Sequence, residues 1–428
     1  MIFWIYNLAL LLLSPLVALF VLYRIFVSKK SGKAWRDQLG FVNIPREIAD
    51  KKPVWIHAVS VGESVASAAV VAELKTIAPE IPVVVSTTTQ TGRSQAEKSI
   101  RNADAFIYYP FDLLPCVANS VRQVNPSVFA STDTEIWPNF RHVLRSRKVR
   151  SALINGTISD HTLNGAAKLP WLYRWALGNM DMFCMQSQED AERVISIGAD
   201  PAKVTVTGNI KWDQALSDLD GLDIELLRKR YKIAEGTPVF VAGSTNPGED
   251  APVLDAFLMA RKEHSGLRVV IAPRQIERKD EIVQLARERG LSSSWRSQPD
   301  TITGKEDVLI LDTFGELAKI YALAQITFVG GSLIPRGCHS ILQPITLGKP
   351  VFFGPHTFKA RDVTSQAERA GVGFRINSAD ELGKQMTTLL SNPEKLVDIE
   401  RRCHDLVDAN HGAAVKTAES LLSSIIRQ

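Results

Sequence analysis

The stretch "HAVSVGESVAS", beginning at His57, sets a single carboxylate, Glu63, just past the apolar run "PVWIHAV", behind a glycine and ahead of small residues. A carboxylate at a strand-to-helix turn can act as a general base on a hydroxyl, or simply favour the positive end of a helix from its first turn. Other turns after apolar runs carry comparable chemistry. "STTTQTGR" holds several hydroxyls and Arg93, and "STDTEIWPNF" holds Asp133 and Glu135. In the second half, "APR", "DTFGEL" and "GGSLIPRGCHS" hold Arg274, Gly315 and the Gly330-Gly331-Ser332 turn. Acids and hydroxyls thus gather in the first half, with glycines and arginine in the second. That asymmetry fits an acceptor and a base on one side and an anionic donor on the other. "DTFGELAKIYALA" is the most phosphate-like element: a strand ending near Asp312 and a helix beginning near Gly315 would offer unpaired N–H groups to an anion.

Such turns need strands and helices to hold them. In the first half the expected strands are "PVWIHAV", "PVVVST", "AFIYYP", "SVFAST", "SALIN", "MFCMQ" and "KVTVTG". Between them run helical patterns such as "SQEDAERVISIGA", where Ser187 and Asp190 suit a helix start. The alternation pauses over a polar, helix-leaning passage. It resumes with "TPVFVAGS", "LRVVIAPR", "VLILDTF", "ITFVGGS", "PVFFGP" and "GVGFRI", and from Ala379 onward is purely helical. This pattern predicts an α/β fold of two Rossmann-like, doubly wound domains facing a cleft, with ligands beyond the carboxyl ends of the strands. The expected boundaries are 1–28 for a membrane anchor helix, 29–211 for an acceptor-binding domain, 212–236 for a connector, and 237–428 for a donor-binding domain with a helical tail. No G-x-G-x-x-G occurs, which argues against a dinucleotide oxidoreductase.

The chain has 428 residues, 45% of them hydrophobic, and a formal net charge of +4. That charge is mild, and its basic residues are not interleaved with aromatics, so nucleic acid is not an expected partner. Cys116, Cys184, Cys338 and Cys403 form no CxxC pair and read as packing residues in a reducing compartment. The N-terminal "MIFWIYNLALLLLSPLVALFVLYRIFV" is apolar over the roughly 20 residues a bilayer core requires. Arg24, Lys29, Lys30 and Lys33 follow it, the positive-inside pattern that would leave the remaining chain cytoplasmic. Pro15 leaves open whether this segment spans the membrane or lies in one leaflet. In "RHVLRSRKVR", Arg141, Arg145 and Arg147 are candidates for anionic headgroups. "DLD" at Asp218–Asp220 resembles a metal-dependent sugar-nucleotide motif, but it falls in the connector rather than after a strand.

Taken together, "HAVSVGES", "STDTEIWPNF", "QSQEDAERVISIGA", "VTVTGNIKWD", "AGSTNPGED", "DTFGEL" and "FVGGSLIPRGCHSILQP…GKPVFFGPHTF" resemble the ordered motifs of the 3-deoxy-D-manno-octulosonic acid (Kdo) transferases. The resemblance covers essentially the whole chain. It implies a GT-B glycosyltransferase of lipopolysaccharide synthesis on the cytoplasmic side of the inner membrane. The reaction it implies is inverting transfer of Kdo from CMP-Kdo to a lipid A precursor, with no metal or other cofactor. Glu63 matches the family's general base and Glu135 a second acid; Glu135 and Arg93 fall on the acceptor side. Pro273 and Arg274 match nucleotide contacts, and Gly315, Glu316 and Leu317 match the segment that meets CMP. Lys211 lies in the matching "TGN-K-D" stretch at the domain junction, which implies a role either on the donor side or only at the hinge. Inner-membrane lipid is the remaining implied partner.

The departures fall mostly in the donor half. Ser340 and Gln343 stand where the family's G-G-H-N-x-x-E has asparagine and glutamate, a glutamate that accepts ribose hydroxyls in GT-B enzymes. Gln343 keeps one carbonyl acceptor and loses the charge. Asn246, Pro247, Gln275 and Thr157 replace other usual residues. These changes leave two alternatives open, a different activated sugar or a catalytically silent GT-B scaffold.

Overall fold

The computed structural model describes residues 3–13, 15, 34–59, 61–132 and 137–426. Two compact units make up the chain: 1–214 with 411–428, and 215–410.

Unit 1 holds a seven-stranded sheet in the order β3-β2-β1-β4-β5-β6-β7. Its strands are β1 (Val54–His57), β2 (Val83–Thr87), β3 (Ala105–Tyr108), β4 (Val128–Thr132), β5 (Arg150–Gly156), β6 (Met182–Met185) and β7 (Val204–Val206). All pair in parallel. Continuous apolar runs are what a sheet covered on both faces requires, and the two-residue period divides them between the faces. Val54, Ile56, Val83, Val85, Val128 and Ala130 join one buried cluster. Trp55, Val84 and Phe129, which alternate with them, join the other. Phe140 is completely buried in that second layer, its ring 5.2 Å from Trp55 and 4.5 Å from Phe129.

Unit 2 repeats the architecture with the order β10-β11-β9-β8-β12-β13-β14, again parallel. Here the strands are β8 (Val239–Thr245), β9 (Arg268–Pro273), β10 (Ser293–Trp295), β11 (Val308–Ile310), β12 (Ile326–Val329), β13 (Val351–Phe353) and β14 (Gly373–Arg375). The expected strands omit β10, whose residues Ser293, Ser294 and Trp295 form no apolar run. Strand pairing with β11, not side-chain pattern, makes it a strand.

Two expected boundaries need correction. The helical tail does not all belong with residues 237–410: the last helix, Ala413–Ile426, packs Ala414, Ala418, Leu421 and Leu422 into the unit 1 core. Asp213 fixes its start, accepting the N–H groups of Gly412 at 2.6 Å and Ala414 at 2.7 Å. Nor is 212–236 a separate connector. The chain enters unit 2 at Ala215 and forms the helix Ile224–Tyr231, with Leu227 and Tyr231 buried.

The anchor expectation falls partly outside the described residues, which omit 14 and 16–33. Among the described residues no helix is long and apolar enough to cross a membrane. Residues 3–13 are helical, and one face of that helix rests on unit 1. Tyr6 donates to Asp112 at 2.9 Å, and the amides of Asn7 and Asn139 bond each other reciprocally at 2.9 and 2.8 Å. The Phe3 ring lies 4.1 Å from that of His142. Trp4, Ile5, Leu8, Leu11 and Leu12 point outward. Arg141 is not a headgroup ligand. It is buried, bonded to Ser131 and set 4.9 Å from the Phe129 ring centre. The four cysteines are buried single thiols.

Candidate active site

In an open parallel sheet, ligands bind beyond the carboxyl ends of the strands where the order reverses. In unit 1 that point lies between β1 and β4, and Glu63 stands there. It occupies the first turn of the helix Val61–Ile77, which follows β1. Its Oε2 accepts the Val59 N–H at 2.7 Å, so the side chain reaches back over the helix start. The same oxygen accepts from the Thr132 hydroxyl at 2.9 Å, across the switch point at the end of β4. Thr132 also lies 3.1 Å from the His57 carbonyl, which fixes its own position. The Glu63 carboxylate is therefore held from both sides of the switch point while staying partly exposed. Thr132 is not among the expected site residues, although it sits three residues before Glu135 in one of the motifs that carry the resemblance.

The end of β1, which leads to the Glu63 turn, is tied to β2 through side chains. Trp55 Nε1 donates to the Ser86 hydroxyl at 2.8 Å, and that hydroxyl lies 2.9 Å from His57 Nδ1. The His57 ring stacks on Tyr109 with centroids 3.8 Å apart. Complete burial, together with the nearby Arg141 charge, lowers the His57 pKa to about 3 despite the Ser86 bond. The imidazole is neutral at any pH near 7, so the acid in this region is not paired with a histidine cation.

The remaining unit 1 candidates have separate settings. Glu135 lies outside the described residues. Arg93 pairs with Glu97 at 2.6 Å and spreads over Phe106 and Tyr108, so its charge sits on the β3 side of the sheet. Lys211 is exposed on the first turn of Lys211–Ser217, where the Asn209 side chain accepts its N–H at 3.0 Å.

The unit 2 candidates all follow strand ends on one sheet edge. Pro273 closes β9, and the exposed Arg274 is pinned by its N–H to the Thr245 carbonyl at 2.8 Å. Asn246, after β8, places its amide 3.3 Å from His339 Nε2, after β12. Burial and the Arg274 and Lys359 charges hold the His339 pKa below its usual value. Arg274, His339, Asn246 and Lys359 thus gather two basic and two polar side chains from four loops, a setting for an anion. Nothing in "HTFKARD" marks Lys359 from its local sequence.

Two expected phosphate contacts take a different form. The helix after "DTFGEL" is only Leu317–Ile320, too short for a substantial dipole. Gly315 has φ 84°, with nothing within 4 Å of where a Cβ would stand, so glycine is there for the backbone conformation. The Glu316 side chain turns to its own unit, meeting Tyr231 at 3.0 Å, Arg296 at 3.2 Å and Arg230 at 3.3 Å. Burial pushes its pKa upward, but bonds from Thr313 and Tyr231 and the Arg296 charge outweigh that and lower it. The Gly330-Gly331-Ser332 turn does not present its N–H groups to a ligand. Glu249, completely buried, accepts from Gly331 at 2.6 Å, Ser332 at 3.0 Å, Leu333 at 2.9 Å and Asn246 at 2.9 Å. That carboxylate ties the loop after β8 to the loop after β12. Ser340 is exposed, and Gln343 donates to Asp218 at 3.1 Å.

Comparison with known proteins gives the family and the fold. Residues 33–214 match the family model described as 3-deoxy-D-manno-octulosonic-acid transferase (kdotransferase). The 3-deoxy-D-manno-octulosonic acid transferase of Bordetella pertussis is 30% identical over 434 residues, covering 97% of this chain and 98% of the relative. A bifunctional glycosyltransferase/methyltransferase of Fusobacterium nucleatum is 32% identical over 80% of this chain, which spans about half (53%) of that larger protein. Among solved structures, the UDP-GlcNAc 2-epimerase of Neisseria meningitidis, bound to UDP-GlcNAc, superposes with a TM-score of 0.60 over 88% of this chain and 100% of its own. At 15% identity that likeness concerns the fold alone. With its two parallel-sheet units and a relative matched from end to end, the chain belongs to the 3-deoxy-D-manno-octulosonic acid transferase family and is a glycosyltransferase.

Proposed function

We propose that the chain transfers Kdo from CMP-Kdo to a lipid A precursor in lipopolysaccharide synthesis, with inversion and without a metal. The observation that carries this reading is the Glu63 carboxylate, fixed through Oε2 by Val59 and Thr132 at the switch point of unit 1 and still partly exposed. Glu63 accepts the proton of an acceptor hydroxyl as that oxygen attacks the anomeric carbon of Kdo. The bond from that carbon to the CMP phosphate oxygen breaks, and CMP leaves with the electron pair. Attack opposite the leaving group inverts the centre. Unit 2 supplies the donor site, with Pro273, Arg274 and the Gly315–Leu317 segment around the nucleotide and His339 and Lys359 facing its negative charge. Lys211 also serves the donor, whereas Glu135 and Arg93 serve the acceptor.

The same reading puts the protein on the cytoplasmic face of the inner membrane. Support comes from the outward apolar face of helix 3–13, where Trp4 is 71% and Leu12 71% exposed, and from Trp171 in the first turn of Pro170–Gly178, 46% exposed. A helix with one docked and one apolar exposed face suits a lipid interface.

The test is to incubate the full chain with CMP-Kdo and a lipid A precursor. Mass spectrometry of the lipid should show added Kdo, and NMR of the product should show the inverted anomeric centre. CMP binding without transfer would favour the silent scaffold, and transfer only from another activated sugar would replace the donor.

A further inference from the structure

Gln343 stands three residues after Ser340, at the second position of the short helix Leu342–Thr346. Its amide Nε2 lies 3.1 Å from Asp218 Oδ2. Asp218 therefore does not sit in a detached connector, as its place in the sequence implies. It belongs to unit 2, and its neighbourhood is fixed at two points. Gln343 holds the Asp218 side chain, and Lys319 donates to the Asp220 carbonyl at 2.6 Å. Lys319 follows closely on the Gly315–Leu317 segment, and Gln343 follows on His339. The Asp218–Asp220 turn is thus fastened to both segments to which the donor is assigned above.

The chemistry of the pair is specific. An amide that donates to a carboxylate turns its own carbonyl oxygen away from that bond, so the pair presents acceptors from both groups. A carboxylate has about four acceptor sites, so several donated bonds coexist on it. Both side chains are partly exposed. Adjacent acceptors suit a vicinal diol, whose two hydroxyls must each donate. Glutamine alone offers one carbonyl and no charge, whereas glutamine joined to aspartate offers a negative charge in addition.

Resting on the proposal that unit 2 binds a cytidylate donor, we propose that Asp218, oriented by Gln343, is the carboxylate that reads the ribose diol of the donor. The charge then sits on the opposite side of the hydrogen bond from position 343.

The experiment is calorimetric binding of CMP and of 2′-deoxy-CMP to the full chain as wild type, Asp218→Asn, and the exchange variant Asp218→Asn/Gln343→Glu. Wild type is expected to favour CMP by roughly tenfold or more, the scale of one charge-assisted hydrogen bond. Asp218→Asn should bring the ratio close to one, and the exchange variant, with amide and carboxylate swapped, should restore it. Because each ratio is internal to one protein, partial loss of folded material does not alter it. A wild type that binds CMP, with an Asp218→Asn ratio unchanged, overturns this proposal alone. A wild type that binds CMP and 2′-deoxy-CMP equally also overturns it. A wild type that binds neither nucleotide overturns the donor reading and this proposal with it.

Discussion

Glu63 and Glu249 occupy corresponding places, each after the first strand of its unit and each bonded across the point where strand order reverses. Their surroundings separate their roles. Glu249 is fully buried and spends its oxygens on four backbone N–H groups. Glu63 is partly exposed and held by one backbone N–H and one hydroxyl. Thr132→Val removes the hydroxyl and leaves the carboxylate less well aimed. Turnover should fall roughly tenfold with CMP affinity unchanged, as steady-state kinetics and calorimetry would show. Equal turnover would mean that Thr132 does not position Glu63. His57 has a pH signature. Its folded pKa of about 3 lies below the ordinary value near 6.5, so the unfolded chain binds more protons between those values. Its contribution to stability is therefore complete above about pH 6.5 and is lost as pH falls toward 3. Asp112 acts in the opposite sense, because burial raises its pKa to about 6 against its bonds from Asn139 and Tyr6. Urea unfolding of His57→Phe across roughly pH 4–7 isolates the histidine, and a flatter acid limb than wild type is expected.

Among the elements, apolar runs bounded by turn residues are enough to locate nearly every strand, because parallel strands covered on both faces must be apolar throughout. β10 escapes because Ser293–Trp295 is held by backbone pairing at a sheet edge. The last helix is legible as a helix but not as part of unit 1. Its partners lie far earlier in the chain, and local pattern carries no such information. Glu63 is legible because a motif surrounds it, whereas Thr132, Lys359 and Asp218 meet the other candidate residues only through contacts distant in sequence. Asp213, which caps the last helix, is likewise visible only as a motif letter. Asp213→Ala should destabilise unit 1 by about 1–2 kcal/mol, the cost of a lost cap. Hydrogen exchange should show the loss first in the backbone of Ala413–Ile426, and unchanged protection there would contradict the capping role.

For the molecule as a whole, the proposed reaction requires a pair of parallel sheets to reach a lipid. Phe3, Tyr6, Asn7 and Leu10 form the sheltered face of helix 3–13, at helical spacing, and the intervening apolar residues face outward. Asn7 makes the contact to Asn139 that helps dock it. Replacing Ile5, Leu8 and Leu12 together by Glu alters the outward face. Sedimentation with anionic phospholipid vesicles should drop severalfold for this variant, with CMP binding retained. Undiminished sedimentation would contradict a lipid-facing role for this helix. Whether Glu63 is the base is decided by comparing wild type with Glu63→Gln, following CMP release from CMP-Kdo with a lipid A precursor present. Turnover is expected to fall by roughly 10²–10⁴-fold, with CMP affinity and unfolding midpoint unchanged. Turnover close to wild type in Glu63→Gln would contradict a catalytic Glu63.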